Sequence, residues 1–283
     1  MDLIFPILSA VLQAASFSLD KVILSFRKID FRAYIGISFP LIFFINLLIF
    51  FAFDSPISRE LIYKTFWWLF ASVALTIASN VIYYRALKHD KLSEMEVIGL
   101  LTALPVIIFS GIIFSDERNY VILIPAIIAS IAIVWSHLKR GHLLIKKDTL
   151  PFLIWSLTMA PLAAAVSKIL LADWNPISLE MLRMGVVTAA IMPFFQKQIK
   201  TISTSALWLL ALTNVLTSVA WILFYFSYQR SGIIYTMLLF SIQPLLVYFV
   251  AIFILKEKID RKKLIAFVVV LISIAIAQFY SWA

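Results

Sequence analysis

The chain predicts an all-α polytopic membrane protein whose ten transmembrane helices form two inverted five-helix repeats. Three observations carry that expectation. Apolar residues fill 63% of the 283 positions and charged residues 14%, with a mean hydropathy of +1.01. A soluble domain of this size needs more charge to cover its surface. The apolar residues gather into ten runs, and crossing a hydrocarbon core takes roughly 20 helical residues. Landmarks of the first half also recur five helices later.

The first run, near 3–24, has no basic leader and no Ala-x-Ala cleavage pattern, so it reads as a true span and not as a removed signal peptide. A second, near 33–53, stops at Asp54-Ser55-Pro56, and a third, near 66–87, closes on Tyr84-Arg85-Ala86-Leu87. The fourth, near 96–114, carries Pro105 and ends at Ser115-Asp116-Glu117-Arg118-Asn119. The fifth, near 120–137, runs into Lys139-Arg140-Gly141-His142. Helices near 151–171 and 178–195 follow, joined by Asp173-Trp174-Asn175-Pro176. The last three fall near 206–228, 232–254 and 264–282, with Pro244 inside the ninth and Lys256-Glu257-Lys258 after it. No gap is long enough for a soluble domain, so any chemistry belongs to the bundle or its mouths.

Short loops make the basic residues informative about orientation. The face holding both termini receives four: Arg59, Lys64, Arg118 and Arg230. The opposite face receives eighteen, leaving Lys168 and Arg183 as intramembrane candidates. This bias places both termini outside and the loop around 138–150 in the cytoplasm. The formal charge of +9 therefore describes a cytoplasmic surface and not a nucleic-acid interface.

Pro105 precedes Glu117 by twelve residues, and Pro244 precedes Glu257 by thirteen. Leu19-Asp20-Lys21-Val22-Ile23-Leu24 also aligns with Val166-Ser167-Lys168-Ile169-Leu170-Leu171. Five helices is an odd number, so two such copies lie in opposite orientations, the arrangement that underlies alternating access. The expected units are 1–141 and 142–283.

Ser241-Ile242-Gln243-Pro244-Leu245-Leu246 and Ile254-Leu255-Lys256-Glu257-Lys258-Ile259, before a final apolar helix, resemble the closing signature of the drug/metabolite transporter superfamily. Its ten-helix EamA-like branch is the most similar. Tyr84-Arg85-Ala86-Leu87, Leu104-Pro105 and Asp116-Glu117 look like the same signature in the first half. The resemblance covers essentially the whole chain. It implies a basket-like bundle around a central cavity, export or exchange of small metabolites such as amino acids, and no cofactor. Many relatives keep their termini in the cytoplasm; the charge bias of this chain argues for the reverse.

Charges retained in spans need a partner, a watery cavity or a route to the headgroups. Lys168 near the end of the sixth helix, and Glu180 with Arg183 three residues apart on the seventh, form an expected outer cluster. Asp20, Lys21 and Arg32 form an inner one. Together they are candidates to gate or attract an anionic or zwitterionic solute; snorkelling to the headgroups is the bland alternative. Gln13, Asn46, Asn80, Asn214 and Gln243 are read first as helix-packing hydrogen bonders, and Gln243 also as a path residue, because Pro105 and Pro244 free backbone carbonyls where a helix breaks. Tyr84, Trp155, Trp221, Tyr225 and Tyr235 are deep enough to stack on a solute, with bundle packing as the plain alternative, whereas Trp67, Trp68, Trp174 and Trp282 read as interface anchors.

Cysteine is absent, and the three histidines lack ligand spacing, so no metal site is expected. Nothing resembles a phosphate-binding glycine loop, which points to a gradient as the energy source. Proton coupling is compatible with Asp20 or Glu180. A secondary transporter in a prokaryotic-type inner membrane is the leading expectation. A channel, a scaffold or receptor, and an intramembrane enzyme are the competing ones. A monomer suffices, and a homodimer is compatible.

Overall fold

The computed structural model describes residues 3–25, 29–53, 55–89, 92–137, 149–195, 204–243, 245–247 and 261–282. Pro244 and the Lys256-Glu257-Lys258 motif lie outside the described residues. Among those described there are ten α-helices and no strand: α1 (Ile4–Ser25), α2 (Phe31–Ala52), α3 (Arg59–His89), α4 (Leu92–Ile113), α5 (Tyr120–His137), α6 (Leu150–Leu171), α7 (Pro176–Phe195), α8 (Thr204–Ser231), α9 (Ile233–Phe240) and α10 (Arg261–Trp282). A 3₁₀ turn, Ser115–Glu117, joins α4 to α5. Six helices, α1, α2, α3, α6, α7 and α8, are long and apolar enough to cross a membrane. Shorter apolar stretches lie in α4, α5 and α10 and over Ile233–Val247.

Local chemistry sets several helix ends. The Asp30 carboxylate accepts the Phe31 N–H at 2.8 Å and caps α2. Asn175 accepts from the Ile177 N–H at 2.9 Å, and Pro176 opens α7 where its missing N–H costs nothing. Some bounds shift: α3 begins at Arg59 and not near 66, because a polar first turn extends beyond the apolar run, and α9 closes at Phe240.

One expectation about helix breaks needs correcting. Pro105 does not break α4, which is continuous from Leu92 to Ile113; one missing N–H removes a single bond, and the rest of the ladder persists. In the second half the interruption falls at Ser241–Ile242, where the bonds tighten to Ile242 N–H on the Leu239 carbonyl at 3.2 Å and Leu245 N–H on the Ile242 carbonyl at 3.1 Å.

Small and hydroxylated residues let the helices approach, the usual means of packing where lipid removes the hydrophobic drive. Along α1 and α8, Ser9 donates to the Ala220 carbonyl at 2.8 Å, and Ser16 meets Thr213 at 2.8 Å, with Ala10 and Ala14 buried beside them. The Thr188 hydroxyl of α7 donates to the Phe39 carbonyl of α2 at 3.0 Å. Gly185 lies so close to Phe43 that an added Cβ would stand 2.9 Å from the ring. Between α5 and α10, Ala126, Ala129, Ala266, Val270 and Ala277 are buried.

Ring contacts place both chain ends on one side of the bundle. Phe5 stacks on Phe226 at the end of α8, and Lys262 at the start of α10 lies over Trp135 at the end of α5. Helices α5 and α10 are therefore antiparallel, and Leu3 just ahead of α1 packs against the buried cluster that holds Ile122 of α5 and Ala277 of α10. This side is called the terminus end below.

Candidate functional site

A cavity of about 340 Å³ runs through the bundle, lined from α1, α2, α3, α4, α6, α7, α8 and α9 and by residues just beyond α9. Its polar lining includes Gln13, Ser72, Asn80 and Thr217. Toward the terminus end the wall is aromatic: Trp221 stacks on Tyr225 with centroids 5.8 Å apart, and Phe224 meets Tyr228 at 4.5 Å and Phe240 at 4.8 Å. Toward the opposite end the lining residues Phe17, Tyr83, Phe152 and Trp155 are half-buried.

Arg183 is the cation of the cavity. It is 5% exposed, pairs with Glu180 one turn away on α7, and holds its guanidinium 4.8 Å from the centroid of Tyr225. Its Nε has no hydrogen-bond partner. A guanidinium held in the cavity wall by a carboxylate partner is suited to an anionic group, because the fork matches carboxylate geometry.

Glu180 and Arg183 were expected beside Lys168 at an outer mouth. They line the cavity instead, while Lys168 engages a different set of groups. Its ammonium reaches Asp116 at 2.5 Å, pairs with Glu117, and lies 4.7 Å from the centroid of Phe114. The buried Glu117 carboxylate also accepts the Ile233 N–H at 2.7 Å and the Ile234 N–H at 3.0 Å. It thus caps α9 from the α4–α5 turn, where the helix dipole favours a negative charge. Gly232 adopts φ +82°, and a Cβ there would fall 2.7 Å from a Glu117 oxygen. Leu170, Leu171, Trp174, Leu179, Tyr228 and Ile233 pack into one buried cluster at this end.

Among the other sequence candidates, Tyr84, Trp155 and Gln243 line the cavity. Tyr235 does not: it is 1% exposed and belongs to the core with Ile107, Ile122 and Leu238, because its face of α9 turns toward α4 and α5. Arg32 is exposed over Phe31, so the expected inner cluster with Asp20 and Lys21 does not form around it. The Lys21 ammonium donates to the Leu87 carbonyl at 2.7 Å, and Asp20 is buried behind Tyr84. Pro105 is half-buried within α4.

Trp174 is no interface anchor: it is buried, and its Nε1 donates to Thr65 at 3.0 Å. Asn80 bonds within its own helix, to the Thr76 carbonyl at 2.8 Å, while neither side-chain polar atom of Asn46 has a partner. The residue missed as a functional candidate was Glu117. It was visible only as a motif acid in a loop, and its partners lie 51 and 116 residues away. Among the described residues no group of three or more His, Asp or Glu could hold a metal ion.

Comparison with known proteins gives three findings. Residues 149–279 match the EamA-like transporter family, in keeping with the drug/metabolite transporter superfamily. No curated protein matches in sequence. Among 26 matching chains of solved structures, one described only as the crystal structure of a protein superposes with a TM-score of 0.73. The two are 12% identical over 96% of this chain and 94% of that one, a likeness of fold.

Proposed function

From the premise that residues 149–279 carry an EamA-like transporter domain, we propose that the whole chain is a secondary transporter that exports or exchanges a small organic anion or zwitterion by alternating access. The observation that carries the reading is the cavity of about 340 Å³, walled by aromatics and holding the buried, Glu180-paired Arg183. A volume of that order suits a metabolite-sized solute. The aromatic wall would take its apolar part, and the Arg183 guanidinium its carboxylate or equivalent.

Helix pairing supports two inverted halves, 1–141 and 142–283. Exchanging each helix for its counterpart five places on turns α1 against α8 into α6 against α3, and α2 against α8 into α7 against α3. Both members of each exchange are in contact, while α2 with α7 and α5 with α10 map onto themselves. The Lys168–Glu117 contact joins the halves at the terminus end, and the half-buried lining at the other end gives the solute its way in. With both termini outside, this is a cytoplasm-facing state of ten spans. Lys168 and Glu117 then part when the terminus end opens.

The test is a paired metabolite profile of cells and medium with the protein induced or absent, with Arg183→Gln as the comparison. A compound displaced across the membrane by the wild type and not by correctly inserted Arg183→Gln supports the reading. A compound displaced equally by both removes Arg183 from the path. No displacement in either direction, with uptake also tested, removes transport.

A further inference from the structure

Three acids are buried among the described residues, and two have cations: Glu117 has Lys168 and Glu180 has Arg183. Asp20 has none. Its carboxylate is 1% exposed, and Oδ1 accepts hydrogen bonds from the Tyr34 hydroxyl at 2.5 Å and the Thr213 hydroxyl at 2.6 Å. A buried carboxylate without a counter-charge is costly in a membrane-embedded bundle, so its presence calls for an explanation.

The hydroxyls around it form a line. Thr213 Oγ1 lies 2.8 Å from Ser16 Oγ, and Ser16 Oγ lies 2.5 Å from Thr217 Oγ1. Thr217 faces the central cavity. In both hydroxyl pairs either oxygen can donate, so the chain can be polarised in either direction. We propose that Asp20 is a proton-binding site, loaded and emptied from the solute cavity along Thr217, Ser16 and Thr213.

The transfer balances without a further reactant. A proton arriving at Thr217 Oγ1 releases that hydroxyl's own proton to Ser16 Oγ. Ser16 releases its proton to Thr213, and Thr213 releases its proton to Asp20 Oδ1. Each O–H bond breaks as the next one forms, and the net change is one proton moved from cavity to carboxylate.

The surroundings leave Asp20 as the group that changes charge. Tyr34 reaches it from α2 and Tyr84 from α3, and these two rings lie 4.7 Å apart. The residue that α8 presents to it is the neutral Thr213. The tyrosine of α9, Tyr235, packs in a different core. Lys21, next to it in sequence, donates to the Leu87 carbonyl, and Lys88 donates to the Leu24 and Ile29 carbonyls at 2.6 and 2.7 Å. As the coupling ion of the transporter, the proton rests on the function proposed above; as a binding site, it stands on this geometry alone.

The experiment is a pH titration of purified full-length protein followed by infrared difference spectroscopy of the protonated-carboxyl band, with pH-jump kinetics. For the wild type a band that grows as pH falls is expected, and Asp20→Asn should lose it. In Thr217→Val the band should survive, with its response to the jump slowed on the order of tenfold by the added barrier. Tyr34→Phe, which keeps the carboxyl group, should move the band's frequency. The idea is overturned by the same titrating band in Asp20→Asn, by a Thr217→Val response as fast as the wild type, or by a carboxylate that responds to sodium and not to pH. These outcomes need no solute, so a failed metabolite profile and a failed proton site are separate results.

Discussion

At the residue scale, each of the two best-formed charge pairs holds a charge in place for a different task. Arg183 and Glu180 share one face of α7 and are 5% and 1% exposed. Removing one partner of such a pair leaves a buried charge without compensation, at about 3–5 kcal/mol. Arg183→Gln should therefore lower the thermal midpoint in detergent as well as abolish flux. The double variant Glu180→Gln with Arg183→Gln should recover much of the stability and none of the transport. Equal midpoints for the single and double variants would show that the two groups do not act as a pair. The spacing of Glu180 and Arg183 was legible in the sequence. That they face the cavity was not, because a helix of apolar residues on all sides does not announce which side meets its neighbours.

At the element scale, α9 depends on the turn between α4 and α5. Its first N–H groups have no partner in their own helix and are met by Glu117. Gly232→Ala combines a strained φ with a Cβ thrust against that carboxylate, so a loss of about 1–3 kcal/mol is expected. The measurement is a thermal melt beside Glu117→Gln. If the clamp is the shared cause, the two losses should be markedly sub-additive in the double variant. Gly185→Val should likewise push α7 off Phe43 and destabilise the α2–α7 contact, by about 1–3 kcal/mol for an overpacked site; Gly185→Ala, with only one methyl to place against a ring edge, should cost less. Existence and order of the helices could be read from apolar runs and punctuation, and the ladder of the ninth is interrupted at Ser241–Ile242, within the turn that precedes position 244.

At the scale of the whole molecule, the prediction concerns orientation. The chain has no cysteine, so each introduced thiol reports one position without background. Asn119 is exposed at the terminus end and His89 at the other. Asn119→Cys should react with a membrane-impermeant maleimide in intact cells, and His89→Cys only after permeabilisation. The reverse pattern would place both termini in the cytoplasm and turn the described conformation into one that faces outward. The eighteen-to-four distribution of basic residues argues for the first outcome.

By itself the sequence determined that this chain belongs in a bilayer and roughly where its helices begin and end. Those properties are sums over local composition, and the bilayer reads them locally: a run of apolar residues is inserted whatever lies far along the chain. It also marked Arg183, Glu180, Lys168 and Asp20, since a charge in an apolar run stands out. Only the tertiary structure decided what each charge meets. Glu117 became a helix cap and Lys168 its counter-ion, Tyr235 went to the core and Arg32 to the surface, and Asp20 was left at the end of a line of hydroxyls. The reason is that partners such as Ser16 and Thr213 lie 197 residues apart, and helix rotation, which no local pattern specifies in a uniformly apolar segment, selects which of them come face to face.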